Sequence, residues 1–323
     1  LYMFLGIYWL LGGEGFPLGE NDIRGEFMGS LFNHLSATVG GAVTAIIGLL
    51  GGVAALAMVR LWWRQIPSIV LITFAWLICI FLILIIPDTR IVQTFAYVFT
   101  LNIEFIDWPV INQMLCIIGG FFWGAAALAY QRKSNDACEN CGRVKNRKAE
   151  AISTSQWERL PIILAVISPL PYGFVRWAWA AGIPLGVSEE TWVAVNATFS
   201  DSLAEFILGG MHIGGAILTL GLIQKWGEIF PRWTLFLSGK RIPVFLVIVP
   251  AVFASAIITI AGLKTGIQLI SGMVDGSITI DMSNWGEFGP VLFWLPWGIS
   301  LGFVTLFYYL RRRGSCKHCG SVG

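Results

Sequence analysis

Charge is scarce in this chain. Only 12% of its 323 residues are Asp, Glu, Lys or Arg, about half the share in a soluble domain, and the net charge is only +2. A polyanion-binding surface has little to draw on, and no nucleic-acid partner is expected. Histidine is rarer still, at three residues. Catalytic and nucleotide-binding signatures are also missing. No Gly-x-x-x-x-Gly-Lys-Ser/Thr loop, His-Glu-x-x-His or Gly-x-Ser-x-Gly occurs, so no residue is assigned a catalytic role.

Apolar length is what the chain has. Hydrophobic residues make up 56% of it, with a mean hydropathy of +0.73. They fall in runs long enough to cross a hydrocarbon layer about 30 Å thick, which takes roughly 20 helical residues. The expected spans cover 1–12, 37–58, 67–87, 109–130, 159–182, 206–224, 243–263 and 288–310. The fold class is therefore all-α, a polytopic membrane protein of about eight helices. Many of the 15 tryptophans sit near run ends, where indole rings favour the headgroup region.

The runs repeat. Tyr2, Trp9 and Gly12 match Tyr172, Trp179 and Gly182, and Phe16-Pro-Leu-Gly19 matches Ile183-Pro-Leu-Gly186. Gly40-Gly41 matches Gly214-Gly215, and Arg64-Gln-Ile-Pro67 matches Lys240 or Arg241 with Ile242-Pro243. Asp107-Trp108 matches Asn284-Trp285, and Trp123-Gly124 matches Trp297-Gly298. Both copies finish in Cys-x-x-Cys-Gly. The expected organisation is a first four-helix repeat over 1–142, a basic linker over 143–155 and a second repeat over 156–323. Leu1 aligns with Pro171, partway through a span, so the first helix is expected to be incomplete here. Four spans per copy insert alike, giving a parallel repeat with a pseudo-twofold axis along the membrane normal.

Basic residues gather on one side. Arg60, Arg64, Lys225, Arg232, Lys240, Arg241 and Arg311-Arg-Arg313 follow the even-numbered spans, and the linker adds more. The other side carries most of the acids, with Arg24, Arg90 and Lys264 as basic exceptions. Positive residues mark the cytoplasmic face, which places the Cys-x-x-Cys ends in the cytosol. The basic linker could also meet a protein partner.

Cys138, Cys141, Cys316 and Cys319 can supply four thiolates, the donor set of tetrahedral structural zinc. Three other readings stand beside it: a thiol redox pair, two unrelated surface pairs, and His318 replacing one thiolate. Four protein ligands leave no open position for substrate, so such a zinc ion would be structural. Cys79 and Cys116 sit alone inside apolar runs and are expected to pack there.

A ligand-binding vestibule is expected on the acidic side, from Arg176, His212, Glu205, Asp201 and His34. Arg176 lies inside a span, where a charge is costly. Asp201, Glu205 and His212 share helical spacing. Plain alternatives exist for each: Arg176 snorkelling to the interface, the acids favouring a helix start, the histidine hydrogen-bonded within a helix interface. His34 and His212 as haem ligands form a rival reading. Gly48-x-x-x-Gly52 and Gly210-x-x-x-Gly214 predict close helix contacts, and Pro161, Pro169 and Pro171 predict a kinked fifth span.

Arg176-Trp-Ala-Trp-Ala-Ala-Gly-Ile-Pro-Leu-Gly186, Arg241-Ile-Pro243 and Arg311-Arg-Arg-Gly-Ser-Cys-Lys-His-Cys-Gly320 resemble a group of uncharacterised multi-pass membrane proteins of Gram-positive, chiefly actinobacterial, bacteria, mainly over 156–320. That resemblance implies a bacterial plasma membrane and carries no activity with it. A secondary transporter or permease-like protein for a small solute or lipid is the expected function. A membrane haem or redox enzyme and an assembly or scaffold subunit are the alternatives.

Overall fold

A computed structural model describes residues 1–22, 24–25, 28–59, 66–91, 94, 106–138, 140–143, 159–230, 232, 234–314, 316 and 318–320. Arg60, Arg64 and nearly all of the basic linker, from Val144 onward, lie outside them. Described residues form helices and turns, with one isolated antiparallel pairing of Ile229 with Arg241. Seven helical stretches are long and apolar enough to cross a membrane. The chain is thus a multi-pass membrane protein. Its first helix, α1 (Tyr2–Leu10), has nine residues and falls short of a span.

Two compact units divide the chain: residues 1–148 with 315–322, and residues 149–314 with Gly323. The segment after the last helix thus belongs with the first unit.

In the first unit α1 packs on α2 (Ala37–Val59), and α3 (Ser68–Ile80) packs on α4 (Trp108–Ser134). Lipid tails are as apolar as leucine, so helices associate through close packing rather than hydrophobic exclusion. Glycine permits that approach. A Cβ on Gly41 would lie 2.5 Å from the Leu10 nitrogen and 2.8 Å from the Gly6 oxygen. At the far end, α3 loosens into a π-helical turn over Phe81–Ile85. Asp107 caps α4 by accepting from the Val110 N–H at 3.0 Å, and Pro109 occupies the first turn, where no N–H is needed.

The second unit begins with α5 (Arg159–Ile167) and α6 (Pro169–Ala180). They belong to one span, with the helix interrupted at Ser168, where Pro169 removes a backbone donor. A short α7 (Glu189–Val195) precedes α8 (Phe199–Ile223). Next comes α9 (Val244–Asp275), 32 residues with Pro250 inside it. A single turn, α10 (Trp285–Phe288), leads through Pro290–Phe293 into α11 (Trp294–Arg312). Here α6 packs on α8 and α9 on α11, while α5 lies against α11. Ala165, Leu222, Trp297, Leu301, Val304 and Tyr308 form the largest buried apolar cluster of this unit.

Three local expectations need correcting. Helix α9 runs on through Lys264, which is 1% exposed inside the unit rather than in an outer loop. His34 is exposed in a turn before α2, not on its helical face. The glycine contacts are also shifted. Gly48 does meet Met3 of α1, but Gly52, Gly210 and Gly214 have open space where a Cβ would go. Gly209 packs against Gly173 and Trp177 instead, and Gly215 against Trp297. The neighbouring residue on the helix faces the partner.

Candidate metal centre and buried polar cluster

Cys138 and Cys141 follow the end of α4, and Cys316 and Cys319 follow α11. The Ala137 N–H donates to the Arg132 carbonyl at 2.9 Å, and Asp136 takes a left-handed φ of 50°. That combination turns the chain back toward the helix end. In each pair the closing glycine completes a tight loop. Gly142 N–H donates to Cys138 O at 2.7 Å, and Gly320 N–H to Cys316 O at 2.8 Å. Both glycines have φ of +71°, where a side chain would be strained.

The four Sγ atoms all lie within 4.8 Å of one another, with Cys138–Cys316 at 3.9 Å and Cys141–Cys319 at 3.5 Å. A disulfide needs about 2.05 Å, so these are free thiols. Tetrahedral coordination with metal–sulfur bonds of about 2.3 Å places sulfurs about 3.8 Å apart. The cluster can therefore hold a metal ion. His318 is exposed and is not one of the clustered ligands.

Electrostatics favour a cation there. The Cys319 and His318 backbone N–H groups point at Cys316 sulfur and pull its pKa down. At Cys141 the Arg143 N–H favours the thiolate, yet desolvation and hydrogen bonds with the Cys319, Cys138 and Cys316 thiols prevail, and its pKa rises to about 11. Negative charge gathered in so small a volume resists further ionisation unless a cation is shared among the sulfurs.

In the second unit, Arg176 of α6 and Glu205 of α8 form a two-pronged ion pair, from Nη1 to Oε1 at 2.9 Å and to Oε2 at 2.7 Å. The Arg176 guanidinium also lies 4.7 Å from the Tyr172 ring centroid and 4.6 Å from that of Trp179. A span can carry this charge because a carboxylate and two aromatic faces replace water.

His212 of α8 stands one layer away. Its Nδ1 is 2.9 Å from the Leu208 carbonyl, and its ring centroid is 4.1 Å from Tyr172, 5.3 Å from Trp297 and 6.0 Å from Trp294. The carbonyl fixes Nδ1 as the protonated nitrogen. The Trp294 and Trp297 indole N–H groups are buried without an acceptor among the described residues. Asp201 is turned elsewhere: it closes a capping box, accepting from the Thr198 N–H at 2.8 Å while its own N–H donates to Thr198 Oγ1 at 3.3 Å. Arg176, Glu205 and His212 are thus brought together through Tyr172, whereas Asp201 is not. His34 belongs to the first unit.

Two buried polar features escaped the sequence reading. In the first unit Arg90 bridges Asp88 and Asp22, with Nη2 contacts of 2.6 and 2.5 Å, while Gln113 donates to Asp88 at 2.8 Å. Arg90, Asp88 and Gln113 are all fully buried. Lys264 is the second. Both basic residues stood out as exceptions on the acidic side, and that anomaly was the available signal. The first unit also holds an apolar cavity of about 380 Å³, with Gly52 and Gly119 in its wall and Tyr2 and Asn112 among its few polar groups.

No family model, curated protein or solved structure matches the chain.

Proposed function

We propose that this membrane protein is a permease-like carrier of a small solute or lipid, built from two tandem four-helix copies and carrying one structural zinc ion on its cytoplasmic side. The observation that carries the solute reading is the pair of orphan indole donors, Trp294 and Trp297, around His212 and next to the Arg176–Glu205 pair. A buried donor without an acceptor costs about 1–3 kcal/mol, and a ligand oxygen would recover it. His212 Nε2 adds an acceptor, and the ion pair offers a site where a proton or cation could be exchanged. The haem alternative fits less well, because aromatic rings already crowd His212.

The tandem copy is supported by matched backbone detail. Pro67 and Pro243 precede α3 and α9 with nearly the same dihedrals, φ −55° with ψ 134° and φ −58° with ψ 130°. Gly12 and Gly182 follow α1 and α6 with φ of 90° and 81°. Asp107 and Asn284 each stand at a helix start. Zinc is the proposed metal because four thiolates and a sulfur spacing near 3.8 Å suit its tetrahedral preference. The bacterial plasma membrane and a cytoplasmic location for the cysteines follow from the resemblance and from charge placement, and belong to the same proposal.

The test is a thermal-shift screen of the purified protein against small carboxylates, amines and phospholipids. A ligand that stabilises the wild type but not Trp297→Phe, with Arg176→Gln also impaired, would support the reading. If no compound separates wild type from Trp297→Phe, the indole donors are not a ligand site.

A further inference from the structure

Between Ile223 and Val244 lie twenty residues, 224–243, where the connection from Val59 to Ser68 has eight, 60–67. The longer connection is built rather than slack. Phe230 N–H donates to the Lys240 carbonyl at 3.0 Å, Ile242 N–H to that of Glu228 at 3.0 Å, and Gly239 N–H to that of Phe230 at 3.1 Å. This makes a small hairpin with a helical turn over Leu235–Leu237 at its tip.

Helix α11 fixes the base. The buried Tyr308 hydroxyl donates to Gly227 O at 3.0 Å. Arg311 reaches Leu222 O at 2.8 Å, and Arg312 reaches Ile242 O at 2.9 Å and the Glu228 carboxylate at 3.3 Å. Both arginines thus neutralise Glu228, the one acid between 224 and 243. Lys225, Arg232, Lys240 and Arg241 remain, all exposed. Beside them stand exposed apolar groups: Phe236 at 90%, Leu237 at 46%, Ile229 at 45% and Trp226 at 40%.

We propose that the 224–243 hairpin is a lipid-binding element that seats its apolar tip in the membrane interface and holds anionic phospholipid headgroups on Lys225, Arg232, Lys240 and Arg241. Its two ends are membrane-spanning helices, so the hairpin emerges at the bilayer surface itself. Exposed apolar and basic side chains on one short hairpin suit that boundary, where hydrocarbon and phosphate lie within one side chain's reach. A rigid base holds the element in place, so binding carries little ordering cost. The proposal stands independently of what occupies the His212 cluster.

The experiment places the full chain in nanodiscs of phosphatidylglycerol and phosphatidylcholine in equal parts. Lipids retained after release are counted by native mass spectrometry, and hydrogen exchange is followed over 224–243. The wild type should retain phosphatidylglycerol in preference, and Lys240→Gln/Arg241→Gln should lose about tenfold of that preference at moderate salt. Exchange in the hairpin should slow when phosphatidylglycerol replaces pure phosphatidylcholine, while α9 exchanges alike in both variants, showing that the fold is kept. Equal retention of the two lipids by the wild type would overturn the proposal. So would a preference unchanged in the double variant, or hairpin protection that ignores headgroup charge. Protection produced instead by a soluble acidic peptide, with no lipid preference, would assign the surface to a protein partner and also overturn it.

Discussion

Cys141 Sγ and Cys319 Sγ lie 3.5 Å apart although 178 residues separate them in the chain. That spacing suits four sulfurs around one metal ion. Metal analysis of the purified protein should find one zinc per chain. Cys141→Ser and Cys319→Ser should each lose most of it, and the double variant all of it. Thiols must shed protons to bind metal, so affinity should fall as the pH is lowered, with zinc leaving below neutrality. A wild-type protein that holds no metal, or a Cys319→Ser variant that keeps its full complement, would exclude the centre.

The Arg176–Glu205 pair should be worth most as a pair. Arg176 and Glu205 side chains are 18% and 8% exposed, so removing either partner strands a charge within a span. Arg176→Leu or Glu205→Leu should destabilise by about 3–5 kcal/mol, measured by unfolding in mixed detergent micelles. Arg176→Leu/Glu205→Leu together should cost less than either alone. Additive losses would show that the two residues act separately.

The sequence displayed the helices and the thiol set because both signals are local. Twenty apolar residues announce a span wherever it packs, and Cys-x-x-Cys is complete within four positions. Partnership was harder to read. Asp201 and Glu205 are one helical turn apart on α8, yet one caps the helix and the other reaches α6. Asp201 sits in the first turn and Glu205 one turn deeper, so depth along the helix decides that, and a spacing rule does not carry it. The same holds for glycine, where Gly209 rather than Gly210 faces Trp177. Charge alone puts Lys264 and Arg90 at span ends. The burial of Arg90 depends on Asp22, 68 positions away in the chain, as well as on its neighbour Asp88.

Glycine substitutions should therefore separate into two classes. At Gly41 a side chain would collide with α1 backbone, which cannot yield without parting the helices. Gly41→Leu should cost at least about 1–3 kcal/mol and lower the yield of folded protein. A Cβ added at Gly52 meets nothing within 4 Å, and Gly52 lines the first unit's cavity, so for Gly52→Leu stability should hold or rise. Gly210→Leu is the matching control in the second unit, also with open space. Comparable damage from all three would mean that the α1–α2 contact has been misjudged.

Arg90 should be the most sensitive single position outside the spans. Its guanidinium accounts for two carboxylates at once, joining the loop after α1, through Asp22, to the segment after α3, through Asp88. Gln113 of α4 completes the set, donating to Asp88 and accepting from its backbone N–H at 3.1 Å. Arg90→Leu leaves two buried carboxylates facing each other without a cation, a loss of about 3–5 kcal/mol or more. Lysine keeps the charge but cannot fork between two acids, so Arg90→Lys should recover only part of it. Restoring neutrality offers the sharper check. Arg90→Leu with Asp22→Asn and Asp88→Asn should be more stable than Arg90→Leu alone, because the stranded charges are gone. Unfolding measured at neutral pH decides this, and a triple variant weaker than the single one would mean that the carboxylates have other partners than Arg90.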